Sequence, residues 1–251
     1  MPSLRIIDGH LHCGVQKVSW GWEDIRPLLL AAGIKGAGVI PPVEDIYDRY
    51  NFHFTDTSAW QACRRRAHQH LLGLQDPEIA IYPYFFVWND FAREDLGPEY
   101  VAIKWHRHPD EPEYHYDAPR CREFLEAVQA RQLPILLEES FQNTLFFLEK
   151  LVPAGVPVII PHLGGLSGGY GNLDRAGVWR LPFVYADMAL ASPKEIEDYL
   201  SRYGSDRLFF GSDYPFGHPA TELNKVLNLK LPPDQTQNIL ADNFRRLCRV
   251  D

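Results

Sequence analysis

Eight short β-rich runs, each followed by a stretch that suits a helix or a loop, constrain the fold of this chain more than any other feature. They fall at residues 4–8, 37–40, 80–86, 101–105, 134–138, 157–161, 183–187 and 208–212. Their starts lie about 20 to 45 residues apart, the span that a strand, a crossover helix and two loops require. Several runs are apolar at consecutive positions, as strands covered on both faces are. Helices are expected at residues 22–32, 55–72, 121–131, 144–151, 193–203 and 234–247. In the fifth of these, Ser192 reads as the N-cap, Pro193 suits the first turn, Glu195 completes a capping box and Gly204 stops the helix. Eight such units in 251 residues fit a closed, distorted (β/α)8 TIM barrel, folded as a single domain over residues 1–251. An open doubly wound sheet of this length more often has about five to seven strands.

Composition narrows the partners. Hydrophobic residues make up 45% of the chain and charged residues 23%, enough for one continuous core. Lys and Arg number 25 against 33 Asp and Glu, a net charge of −8, so no bulk positive field would hold nucleic acid or an anionic membrane. A small-molecule substrate is the expected partner, and a homodimer stays open as an assembly. Cys13, Cys63, Cys121 and Cys248 form no C-x-x-C pair, and no basic-then-apolar signal opens the sequence, which points to a cytoplasmic setting. No uncharged run reaches the roughly 18 to 20 residues of a membrane helix. Asp8-Gly9-His10-Leu11-His12 follows the first run where a dinucleotide fold would carry its glycine fingerprint. No G-x-S-x-G elbow is present, so a serine nucleophile has no support.

In a barrel of this kind chemistry sits at the C-terminal ends of the strands. There the sequence places Asp8, His10 and His12 (first run), Lys104 and His106 (fourth), Glu138 and Glu139 (fifth), His162 (sixth) and Asp213 (eighth). Two histidines at i, i+2 on an extended segment point to the same side and can share a cation. One H-x-H pair alone more often belongs to a wet loop; carboxylates and another histidine at further strand ends favour a metal centre with N and O donors.

These residues sit in motifs that resemble the amidohydrolase superfamily, in its amidohydrolase-related (amidohydrolase 2) branch of metal-dependent hydrolases and non-oxidative decarboxylases. The motifs are Asp8-Gly9-His10-Leu11-His12, Ile103-Lys104-Trp105-His106, Pro161-His162-Leu163-Gly164-Gly165, Gly211-Ser212-Asp213-Tyr214-Pro215 and the stretch 238–247. The resemblance implies a divalent metal at the barrel mouth, bound by His10 and His12. It also implies that His162 positions or polarises substrate or water, and that Asp213 both touches the metal and serves as general base. One departure stands out: Glu138 occupies the strand-five position where the family usually has histidine. Dinuclear relatives use histidines at strands five and six with a carboxylated lysine at strand four, so one ion is expected here, held by His10, His12, Glu138 and Asp213. Zinc is the first expectation, with manganese or iron as alternatives. A set of two histidines and two carboxylates is formally neutral around a dication, which leaves a bound water less acidic than a set of three histidines and one aspartate does. An alkaline-shifted optimum or better turnover with Mn2+ is therefore expected, and Glu138→His should move the rate profile to lower pH.

The expected reaction is attack of a metal-activated water on an ester, lactone or amide of a small molecule, with Asp213 and His162 as catalytic residues. Decarboxylation of a small aromatic acid, a TatD-like nuclease and a non-catalytic ligand-binding barrel are the alternatives. Against the nuclease, this sequence lacks that group's Glu-Ile-Gly-Leu-Asp run near strand three or four, and its acidic balance does not assist DNA binding. Lys104, His106, Trp88 and Tyr170 are candidate substrate contacts, with Asn89, Arg175 and Arg180 behind them. Lys104 could equally pair with Glu138 or Glu139, and His108 carries less weight because loops tolerate histidine freely. Arg64-Arg65-Arg66 reads as the wet face of a helix and Cys13 as a packing residue.

Overall fold

Strand pairing fixes the architecture. A computed structural model describes residues 4–251. Its strands are β1 (Ile7–His12), β2 (Gly36–Ile40), β3 (Ala80–Phe86), β4 (Ala102–His106), β5 (Ile135–Glu138), β6 (Val158–Ile160), β7 (Val184–Asp187) and β8 (Leu208–Phe209). They lie side by side in chain order, every adjacent pair parallel. Backbone bonds close the circle between the ends of β8 and β1. Gly9 N–H donates to Phe210 O (3.0 Å), His12 N–H to Tyr214 O (2.8 Å) and Asp213 N–H to His10 O (2.7 Å). The result is the expected (β/α)8 barrel. Its strands can approach closely because small residues stand where they cross: a Cβ on Gly38 would lie 2.7 Å from the Gly9 carbonyl oxygen.

The outer helices follow the strands: α1 (Trp22–Ala31), α2 (Ser58–Leu72), α3 (Pro119–Arg131), α4 (Phe141–Phe146), α5 (Tyr170–Arg175), α6 (Pro193–Tyr203), α7 (Pro219–Asn228), α8 (Pro233–Gln237) and α9 (Asn243–Cys248). Packing supplies the stability. Phe124 of α3 is fully buried against the rings of Phe85, Phe91 and Trp105, and burying such a side chain is worth roughly 1.5–3 kcal/mol. The α6 capping box forms as read: Ser192 Oγ accepts from Glu195 N–H, and the Glu195 carboxylate accepts from Ser192 N–H. Among the described residues no helix is long and apolar enough to cross a membrane.

Several boundaries differ from expectation for local reasons. Strand β1 begins later than residue 4 and extends to His12, since Leu4 and Arg5 are exposed while His12 continues the ladder against Ile40. Strand β8 stops after Phe209, and Phe210 N–H turns to the Ile239 carbonyl (2.9 Å). The helix expected over residues 234–247 forms as one continuous helical run, with a wider turn at Asn238–Asp242 between α8 and α9. Helices α5 and α7 are additions that the sequence pattern does not predict. Arg64 is a correction: it is buried, with its guanidinium 2.6 Å from both Asp56 and Asp90 and bonded to Ile46 O, while Arg65 and Arg66 take the wet face.

Candidate metal centre

The barrel mouth is assembled from strand ends. Along β1 a register slip falls between Asp8 and Leu11, and His10 and His12 both reach the mouth. The backbone bond from Asp213 to His10 at the β8–β1 seam carries the Asp213 carboxylate over both rings. Asp213 Oδ1 lies 3.3 Å from His10 Nε2 and 3.5 Å from His12 Nε2. Asp213 (φ 51°) and His162 (φ 58°) both sit in the left-handed backbone region, a cost of order 1–3 kcal/mol each that the surrounding structure holds in place. Asp8 anchors the seam beneath them, with Oδ1 accepting from Ser212 N–H (2.9 Å) and His10 N–H (3.2 Å). Burial pushes the Asp8 pKa up to about 7.

Hydrogen bonds fix which imidazole nitrogen faces the centre. His10 Nδ1 bonds Asp187 Oδ2 (2.8 Å), His12 Nδ1 bonds Pro41 O (3.2 Å) and His162 Nδ1 bonds Ala189 O (3.0 Å). Carbonyl and carboxylate oxygens only accept, so all three Nδ1 atoms carry hydrogen; neutral His10 and His12 turn an Nε2 lone pair inward, while His162 presents Nε2 to two carboxylate oxygens. Two such nitrogens facing one carboxylate oxygen repel it unless a cation or a proton lies between. Donors bonded to an ion at 2.0–2.1 Å stand about 3.3–3.4 Å apart at tetrahedral angles, close to the separations here. His10, His12 and Asp213 therefore fit a divalent ion, and their donor atoms form one compact group. His162 Nε2 is buried without a hydrogen-bond partner, 3.7 Å from both Asp213 Oδ2 and Glu138 Oε2.

Charge is tuned by these contacts. Burial would raise the Asp213 pKa, yet His10, His12 and His162 in their protonated forms outweigh it and hold the carboxyl at about 2, a charge that a divalent ion would supply when the rings are neutral. Burial likewise opposes charge on His162, but Glu138 and then Asp213 and Asp187 raise its pKa to about 9. His10 is pushed down, by burial first and then by Lys104.

Glu138 belongs to a neighbouring group. Its Oε2 accepts from Lys104 Nζ (2.9 Å), which also stands 3.4 Å from His10 Nε2. Its Oε1 lies 3.3 Å from His106 Nε2 and 3.0 Å from His108 Nε2. The β4–β5 register, which pairs His106 with Glu138, produces this proximity. Of the four ligands expected from the sequence, His10, His12 and Asp213 thus share one group, while Glu138 joins His106 and His108 in another.

A cavity of about 150 Å³ opens onto both groups. His12, Arg49, His106, His108, Glu138 and Asp213 form its polar wall, and Val43, Leu166, Leu190 and Phe216 its apolar rim. Lys104 lies fully buried beneath it. Trp88 and Tyr170 are not among its lining residues: Trp88 is buried and stacked on Tyr47 at 3.9 Å, and the Tyr170 hydroxyl is spent on Asp198 at 2.6 Å. Asp187 is a site residue that no motif marked, although its place at the end of the seventh run is the signal that marks the others. Tyr47, Arg49 and Glu111 come from loops and carry no such signal.

Comparison with known proteins agrees with this geometry. The amidohydrolase model Amidohydro_2 matches residues 7–250. The chain belongs to the amidohydrolase 2 family. Among solved structures, a Pseudomonas putida protein described as a 2-pyrone-4,6-dicarboxylic acid hydrolase superposes with a TM-score of 0.74 at 17% identity, covering 98% of each chain. A 2,6-dihydroxybenzoate decarboxylase from Rhizobium gives 0.71 at 16% identity over 99% of each chain. A dihydroxybenzoic acid decarboxylase from Polaromonas with bound manganese gives 0.68 at 14% identity, over 99% of this chain and 97% of that one. At such identities the likeness shows the shared barrel, and these neighbours are described as a hydrolase in one case and as decarboxylases in the others. A search of curated proteins finds no match.

Proposed function

We propose that this protein is a metal-dependent hydrolase of a small ester, lactone or amide, with one divalent ion, zinc or manganese, held by His10, His12 and Asp213. The observation that carries the reading is the pair of Nδ1-anchored rings presenting Nε2 to one ionised carboxylate at the barrel mouth. When bound, the ion supplies Lewis-acid polarisation of the scissile carbonyl and makes a nearby water more acidic. The bonds Glu138 makes to Lys104 and His108 support leaving it out of this ligand set.

Asp213 Oδ1 faces His10 and His12, whereas Oδ2 faces His162. Being ionised, Oδ2 takes the proton of the attacking water and later returns it to the leaving group. Glu138, foremost among the carboxylates that raise the His162 pKa, favours a proton on Nε2, which His162 donates as a hydrogen bond to the oxygen on which negative charge develops. A cavity near 150 Å³ suits a molecule of about one ring, and Arg49 in its wall suits a carboxylate on that ring.

The same Arg49 favours a second reading, decarboxylation of a small acid. Loss of CO2 requires a proton delivered to carbon, which the ionised Asp213 does not carry. A panel of lactones, esters, amides and aromatic acids, assayed for hydrolysis and CO2 release in the same reactions, separates the two. Hydrolysis that vanishes on chelation and in Asp213→Asn is expected; CO2 release without hydrolysis overturns the proposal.

A further inference from the structure

We propose that His106, His108 and Glu138 form a second divalent-cation site, distinct from the one at His10, His12 and Asp213. His106-Arg107-His108 at the end of β4 repeats the H-x-H spacing of β1. Both Nε2 atoms approach Glu138 Oε1, at 3.3 and 3.0 Å, and the three donors lie together as one group. These separations match those of ligands around a small divalent ion.

Surrounding hydrogen bonds prepare the donors. The single Tyr47 hydroxyl hydrogen goes to Glu111 Oε2, its nearest acceptor at 2.6 Å. The Tyr47 oxygen is then left to accept from His106 Nδ1 (3.3 Å), so His106 Nε2 carries a lone pair aimed at a carboxylate oxygen. That contact is repulsive until a cation enters. In the ion-free form Arg49 donates to His108 Nδ1 (3.2 Å) and His108 Nε2–H donates to Glu138 Oε1. On binding, the His108 proton moves from Nε2 to Nδ1; Arg49 then releases that nitrogen while keeping Glu111 through its Nε (2.7 Å), and Glu111 Oε1, 3.6 Å from Nδ1, closes on it as the acceptor. No net proton is released. Lys104 occupies Glu138 Oε2, which leaves Oε1 for the cation and places an ammonium between the two sites. The cavity gives entry, since the His108 side chain is 30% exposed whereas those of His106 and Glu138 are buried.

The test is a Co2+ titration of chelator-stripped protein, read by equilibrium dialysis and by visible absorption, with circular dichroism to confirm the fold. Wild type should bind two equivalents. His108→Ala should weaken one of them about 100-fold and keep the other, His12→Ala should keep the equivalent that His108→Ala loses, and His106→Asn should repeat the His108→Ala result. Because His108 is partly exposed, its truncation should leave folding intact. A wild-type protein saturating at one equivalent that His12→Ala abolishes would overturn the second site, as would two unweakened equivalents in His108→Ala. One equivalent lost in His108→Ala but retained in His12→Ala would uphold this site while removing the ion from the proposed hydrolytic centre.

Discussion

Asp187→Asn is the sharpest perturbation of the metal centre because it changes a hydrogen's position and little else. Asp187 Oδ2 accepts from His10 Nδ1 at 2.8 Å, and Oδ1 accepts from the backbone N–H groups of His162 (3.1 Å) and Ala189 (2.9 Å). An asparagine whose oxygen keeps the two backbone bonds must turn its amide N–H toward His10. The ring then carries its hydrogen on Nε2, pointing at Asp213 instead of offering a lone pair. Loss of such a supporting carboxylate typically costs about 10- to 100-fold in metal affinity, which is about 1.4–2.7 kcal/mol. Ion-free stability should move by no more than about 1 kcal/mol, since one hydrogen bond is exchanged for another. Calorimetric titration of the stripped protein measures the affinity, and imidazole ¹⁵N shifts report the His10 tautomer. Affinity within about twofold of wild type, or a hydrogen still on Nδ1, would refute the reasoning.

Lys104→Met strands a buried carboxylate and should cost about 3–5 kcal/mol in chemical denaturation, most of it recovered in Lys104→Met/Glu138→Gln. Glu138→His leaves Lys104 equally unpaired, so lost stability should dominate over the shift of the rate profile expected from its sequence position. His68 accepts from Phe86 N–H (3.0 Å), and burial followed by Arg64 depresses its pKa to about 3. The unfolded chain then binds the extra proton first, so this contribution is complete above the ordinary histidine pKa of 6.5 and is lost as pH falls toward 3. Stability should fall by about 1.4 kcal/mol per pH unit in that window; an identical slope in His68→Gln would contradict this. Arg49→Met should raise KM for carboxylated substrates about 10- to 100-fold and leave uncharged ones unaffected, and equal effects on both would remove Arg49 from substrate binding.

The barrel is legible because strands covered on both faces leave short apolar runs at regular spacing, and strand ends announce themselves by a polar residue after such a run. His10, His12, His162 and Asp213 are all marked in that way. Glu138 shows the limit: position places it correctly at the mouth, but only the register against His106 and the reach of Lys104 decide which donors it joins. Trp88 and Tyr170 follow strands as lining residues would, yet their orientations depend on Tyr47 and Asp198, far away in sequence. Arg64 reads as solvated because its partners, Asp56 and Asp90, lie in loops that no periodicity predicts.

The seam between β1 and β8 couples ion capture to the completion of folding. Ligands near residue 10 cannot work until residue 213 has been delivered to them, so a partly formed barrel offers no centre to fill. Whatever binds there favours the closed circle over any opened one by mass action. Removing the ion should therefore loosen first the place where the two ends of the sheet meet, and hydrogen exchange at the amides of Gly9, His12 and Asp213 would register it before the remaining staves respond.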